Sequence, residues 1–225
     1  MLDNLIQNLA VYALPVLFAI TLHEAAHGYA ARRFGDNTAY MLGRVSLNPA
    51  RHIDPIGTIA MPVVLYLVTG GAVLFGYAKP VPVNFGKLRN PRWHGLLVAA
   101  VGPLSNFLQA LIWGVLAIGL AVASVEEPFF VKMANAGMLV NLLIAAFNLF
   151  PLPPLDGGRI VASLLPPRQA YTFSRIEPYG MIILMVLLLT RAFVPFWLSP
   201  LVTVGYSLLN LVLTPLQMAA AALIN

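Results

Sequence analysis

The stretch best equipped for chemistry is His23-Glu24-Ala25-Ala26-His27. On a helix, positions four apart share one face, so His23 and His27 can offer two imidazole nitrogens to one ion. The H-E-x-x-H spacing suits Zn²⁺, with Glu24 close enough to act on a water at the metal. The stretch sits inside an apolar run. Ionisable side chains at membrane depth cost of order a few kcal/mol each and are functional by default. A plain hydrogen-bonded cluster of three such groups in five residues would be a costly way to pack two helices.

Catalytic zinc takes three protein ligands and keeps one position open. The chain has no cysteine and no second H-E-x-x-H. The best third candidate is Asp156, within Asn148-Leu149-Phe150-Pro151-Leu152-Pro153-Pro154-Leu155-Asp156-Gly157-Gly158. Prolines end the apolar helix there, and Gly157 and Gly158 allow close backbone approach. The competing reading of Asp156 is an N-cap for a helix restarting near Arg159.

The elements that must position these groups follow from composition. Of 225 residues, 60% are hydrophobic and only 9% charged, against about 25% charged in soluble domains; mean hydropathy is +0.83. Such a chain is neither a soluble globular protein nor a disordered one. It reads as an all-α polytopic membrane protein, and its formal charge of +5 reports on orientation rather than nucleic-acid binding. The N-terminal run has Asp3 and no preceding Lys or Arg, so it reads as a retained helix, not a signal peptide.

Apolar stretches long enough to span run over Leu5–Ala31, Ile56–Tyr77, Gly95–Ala123, Ala134–Phe150, Tyr179–Phe196 and Pro200–Leu223. That gives five to six transmembrane helices in a single membrane-embedded domain, residues 1–225. Ile56–Tyr77 is rich in Gly and Pro and passes into the extended-looking Ala78–Asn84. Basic residues flank it on both sides: Arg32, Arg33, Arg44 and Arg51 before, Lys79, Lys87, Arg89 and Arg92 after. A re-entrant stretch would put both groups in the cytoplasm, as the positive-inside rule favours. It would also leave Glu126 and Glu127 outside, with the N-terminus.

Taken together, His23–His27, Gly102-Pro103-Leu104-Ser105-Asn106 and Asn148–Gly158 resemble the site-2 protease family of intramembrane zinc metalloproteases. The likeness is to short prokaryotic members without PDZ or CBS domains, and extends to Asn48–Gly57 and Lys79–Asn84. It implies one Zn²⁺ per chain on His23, His27 and Asp156, Glu24 as the catalytic acid/base, and a site near the cytoplasmic face of a prokaryotic plasma membrane. The implied substrate is a transmembrane protein within the bilayer, cleaved in or near its membrane segment. Asn148 and Asn106 are candidates for holding the oxyanion or substrate backbone, with an ordinary helix-terminal hydrogen bond as the alternative for Asn148 and a bond to a neighbouring helix as that for Asn106. Val81 and Val83 are candidates for pairing with an unwound substrate strand, Pro80 and Pro82 marking an edge, with a plain surface connection as the alternative. His52 and Asp54 are candidates for supporting or gating the site, with a loop hydrogen-bond network as the alternative. A metal-binding transporter, or a non-catalytic homologue that binds membrane segments, would use the same residue types differently.

Overall fold

The computed structural model describes residues 2–61, 64, 68, 76, 78–125 and 127–224. It is helical, with no strand among the described residues. α1 (Leu2–Arg33) has 32 residues, about 48 Å at 1.5 Å per residue, more than the roughly 30 Å of hydrocarbon. A short helix, α2 (Thr38–Met41), follows. Next come a 3₁₀ turn at Pro49–Arg51, a π turn at Pro55–Ala60 and a second 3₁₀ turn at Phe85–Lys87. α3 (Pro91–Val122) starts where the Asn90 side chain accepts from the Trp93 N–H and Pro91 takes the first helical position. α4 (Pro128–Asn148) returns towards the loop that bears Asp156. The chain then forms α5 (Asp156–Leu164), α6 (Pro167–Ser174), α7 (Glu177–Leu189) and, after a π turn at Val194–Leu198, α8 (Ser199–Ile224).

Four helical stretches are long and apolar enough to cross a membrane: Leu9–Arg33, Pro91–Val122, Pro128–Asn148 and Val194–Ala222. A fifth is obtained if α6 and α7, bent by 59° at their junction, act as one. The architecture is thus an all-α polytopic membrane protein. One boundary differs from expectation. The span expected over Tyr179–Phe196 stops at Leu189, because Arg191 adopts a left-handed conformation (φ 57°). Pro195, lacking an N–H, then helps to delay recovery of regular helix until α8.

Whether residues 56–77 span or turn back falls largely outside the described residues. Their described flanks lie side by side. The Lys79 N–H donates to the His52 carbonyl at 2.9 Å, and Arg44 Nη2 donates to the Lys79 carbonyl at 2.9 Å. The end of α1 also meets the start of α3: the Arg89 N–H bonds the Phe34 carbonyl at 3.0 Å, and the His94 ring stacks on Phe34 at 4.4 Å. The two basic connections therefore occupy one end of the bundle.

Side chains are distributed as expected for a lipid solvent. Small residues are buried in the long helices, among them Ala19 and Ala25 of α1, Ala110 of α3 and Ala146 of α4, while Leu211, Met218 and Phe196 face outward and exposed. Small interfaces let helices approach closely where lipid removes the hydrophobic drive between them. A second cluster, of Leu152, Leu155, Leu184 and Phe193, clamps the proline-rich loop before α5. Trp197 Nε1 fastens it by donating to the Ala146 carbonyl at 2.8 Å.

Asp36, fully buried just past α1, ties this end of the bundle together. Its carboxylate accepts from the Thr38 N–H (3.0 Å), the Thr38 hydroxyl (2.5 Å) and the Asn84 N–H (2.7 Å). Burial alone would push the carboxyl up; the Thr38 and Asn84 donors and the Lys87 charge outweigh it and hold the group below its ordinary value. An Asp36→Asn variant turns an amide N–H towards one of those donors. It is expected to lose about 1.5–3 kcal/mol at neutral pH, read by thermal unfolding in detergent. A carboxyl with a depressed folded pKa contributes stability above its unfolded value and loses it as pH falls through the folded one. The gap between the two proteins should therefore persist at pH 5 and close only below the ordinary carboxylate range.

Candidate metal centre

α1 presents His23 and His27 one turn apart, both buried, with their rings edge-to-face at 4.7 Å. α5 presents Asp156 from its first residue. The extended Leu155 is the N-cap and makes no side-chain cap bond, so the Asp156 carboxylate does not serve as the cap considered from sequence. It points at the histidines instead. His23 Nε2 and His27 Nε2 lie 3.1 and 3.2 Å from Asp156 Oδ2, and 3.1 Å from each other. A tetrahedral centre with ligands at about 2.0–2.1 Å separates its donor atoms by about 3.3 Å.

Hydrogen bonding behind the rings fixes what those atoms offer. His23 Nδ1 lies 2.6 Å from Asn106 Oδ1, and His27 Nδ1 lies 2.7 Å from the Val98 carbonyl. Both Nδ1 atoms must donate to these oxygens, so in neutral rings both Nε2 atoms carry lone pairs. Asp156 Oδ2 is buried without a hydrogen-bond donor. Three lone-pair atoms converging in a buried place repel one another unless a cation lies between them. The residues therefore fit a metal ion, and the donor set of two imidazoles and one carboxylate is one that suits zinc.

Close backbone approach builds this site. A Cβ on Gly102 of α3 would fall within 2.6 Å of His23 Cε1 and also strike the His27 ring. A Cβ on Gly157 would meet the Leu149 and Phe150 carbonyls, and one on Gly158 the backbone of Leu152 and Pro153. The first turn of α5 thus rests on its own preceding loop, which delivers Asp156 to α1.

A cavity of about 610 Å³ opens beside the centre. Glu24 lines it, and its Oε2 accepts from the Val81 N–H at 2.7 Å. Val81, Val83 and Asn148 line it as well; the Asn148 amide also donates to the Ile144 carbonyl at 3.0 Å. The remaining candidates lie elsewhere. Asn106 is fully buried behind His23 rather than in the cavity. His52 is buried, bonding the Ser46 carbonyl through Nε2 at 2.8 Å, and Asp54 caps the π turn by accepting from the Ile56 and Gly57 N–H groups. Neither lines the cavity.

Sequence reading did not single out two residues near the centre. Arg159 lies in the cavity wall, its guanidinium 5.1 Å over the Phe85 ring and 4.0 Å from Glu177. Asn141 lies fully buried on α4, bonded to Asn106 at 2.9 Å. The available signal was an amide in an apolar helix two turns before Asn148.

Comparison with known proteins bears on the same residues. The model of peptidase family M50 matches residues 118–190. YwhC of Bacillus subtilis, named as a zinc metalloprotease, is 40% identical over 180 residues, 78% of this chain and 78% of its own. The chain belongs to peptidase family M50. It is a zinc metalloprotease of the site-2 protease kind. Rip2 of Mycolicibacterium smegmatis is 30% identical over 178 residues, 78% of this chain and 65% of its own. MJ0392 of Methanocaldococcus jannaschii, also named as a zinc metalloprotease, is 25% identical over 167 residues, 72% of this chain but 36% of its own. No solved structure gives a significant match. The matched family segment contains Asp156 but stops short of α1, so what joins His23 and His27 to it here is geometry. Replacing Gly102 by Ala should push the imidazoles out of register. We expect zinc affinity to fall more than tenfold, measured by chelator competition on the purified protein.

Proposed function

We propose that this M50 protease hydrolyses peptide bonds within or near transmembrane segments of other membrane proteins, with one zinc held by His23, His27 and Asp156 and Glu24 as acid/base. The observation that carries this reading is the convergence of His23 Nε2, His27 Nε2 and Asp156 Oδ2 within 3.2 Å of one another, beside a cavity that Glu24 lines. Zinc bound there supplies a Lewis acid that lowers the pKa of water and polarises the scissile carbonyl.

The chain's own residues do the rest. Glu24, anchored through Oε2 by the Val81 N–H, takes the water proton on Oε1 and returns it to the departing amine. Water's oxygen ends in the new carboxylate, and the two protons finish on the new amine and in solvent. Asn148, in the cavity wall, is placed to donate to the developing oxyanion. Val81 and Val83 offer an extended backbone on which an unwound substrate segment can lie.

The gathering of both basic connections at one end of the bundle favours an orientation with that end in the cytoplasm of a prokaryotic plasma membrane. His23 and His27 then lie in the cytoplasmic half of α1, where Asp156 joins them from the start of α5. A Glu24→Gln variant should keep its zinc while cleavage of a reconstituted membrane substrate falls by at least about 10²; full retained cleavage would remove Glu24 from its role. Asp156→Ala should weaken zinc binding by well over tenfold in the same chelator competition. Unchanged affinity would remove Asp156 from the ligand set.

A further inference from the structure

His23 stands at the end of a buried chain of amides that crosses three helices. Asn141 Nδ2 donates to the Gly137 carbonyl one turn back on α4, at 2.9 Å. This bond sets the polarity of the Asn141 amide. A main-chain carbonyl can only accept, so the Asn141 amide must turn Nδ2 to it and present Oδ1 to α3. There it accepts from Asn106 Nδ2 at 2.9 Å. Asn106 Nδ2 spends its second hydrogen on the Ala19 carbonyl of α1, at 3.1 Å. With both donors committed, Asn106 can present only Oδ1 to His23 Nδ1, 2.6 Å away. Both asparagines have no exposed surface, so water does not offer a substitute partner.

We infer that Asn141 is a positioning residue for the metal centre: acting through Asn106, it holds the His23 ring so that Nε2, not Nδ1, faces Asp156 and His27. Without Asn141, Asn106 loses one of the two acceptors that hold its amide in this orientation and keeps only the Ala19 carbonyl. Rotated by half a turn, its Nδ2 would face His23 Nδ1 and require a lone pair there. The ring would then carry its hydrogen on Nε2, the atom aimed into the centre, where it would oppose a metal. His27 has no such dependence, because its Nδ1 donates directly to the main-chain carbonyl of Val98. The two histidines therefore differ in what orients them: a backbone group for one, a two-residue amide relay for the other. The position of Asn141 supports a relay rather than a packing role. Its neighbours Val140 and Leu142 are buried apolar residues on the same helix, and an apolar residue at 141 would fill the space without the polar bonds.

This inference rests on His23 being a metal ligand, so its test reads metal binding rather than proteolysis. Zinc affinity of the purified full chain is measured by chelator competition for wild type, H23A, N141L, N141D, N106L and the N106L/N141L double variant, alongside melting of each zinc-free protein. Loss of a group supporting a metal-bound histidine lowers affinity about 10–100-fold. We expect N141L to lose about tenfold. N141D should recover most of that, since a buried carboxylic acid can both donate to Gly137 and accept from Asn106. N106L should lose at least as much as N141L, and the double variant no more than N106L, as members of one chain are not additive. Wild-type affinity in N141L would overturn the relay. So would an N141D loss equal to that of N141L, or a lowered melting temperature in N141L with zinc affinity unchanged, either of which would make Asn141 a packing residue. If wild type and H23A bound zinc equally, the metal centre itself would fall and this inference with it, an outcome distinct from failure of the relay alone.

Discussion

Three lone-pair atoms held within 3.2 Å of one another in a buried place are the constraint around which this protein is built. Left to themselves they repel, and burial strengthens that repulsion. Their arrangement persists because each is held from behind: His23 by Asn106, His27 by a main-chain carbonyl, and Asp156 by the helix start that carries it. Each of these supports restricts the side chain it holds, and restricting a group beforehand lowers the ordering cost of anything it binds.

The membrane makes the constraint affordable. In lipid, helices gain little from burying apolar surface against one another, so close packing and polar contacts decide which faces meet. Gly102 lets α3 press against both imidazoles, and Gly137 lets α4 approach the Trp113 ring of α3. The same closeness brings Asn106 within hydrogen-bond range of α1 and α4 at once. Polar side chains that would be expensive facing lipid are thereby spent on each other. The proline-rich loop before α5 is irregular backbone at this depth. It is tolerated because α7, the turn at Val194–Leu198 and the aromatic cluster of Phe150, Phe193 and Trp197 pack against it.

Much of the centre was legible from spacing alone. Residues 23 and 27 share a helical face by periodicity, and Asp156 stood out because prolines end a helix just before it and glycines follow. The supporting partners were less legible, for a physical reason: a hydrogen bond between helices depends on rotation about three axes, which sequence spacing does not fix. The expectation for Asn106 left open a bond to a neighbouring helix or a place lining the site; it bonds α1, behind His23. Asn141 gave no reading at all, although an amide in an apolar helix is itself a cost that requires a partner. The extent of α7 was obscured for another reason. Hydropathy runs on through Phe193 and Phe196, while the break is set by the backbone conformation of Arg191, which hydropathy does not register.

Glu24 shows how the extended segment and the metal centre form one unit. Pro80 and Pro82 have no N–H, so Val81 carries the lone backbone donor of that tripeptide, and it is spent on Glu24 Oε2. The segment is fixed on either side of this bond. Arg44 holds the Lys79 carbonyl, and Asp36, just past the end of α1, holds the Asn84 N–H. A shift of one residue in this segment would bring a proline opposite Glu24 and leave its carboxylate without that donor. The register of residues 79–84 along α1 therefore determines where the carboxylate sits relative to the histidines on the same helix. A surface suited to receiving an extended chain and a group suited to moving a proton are held by a single hydrogen bond, so neither can be displaced without the other.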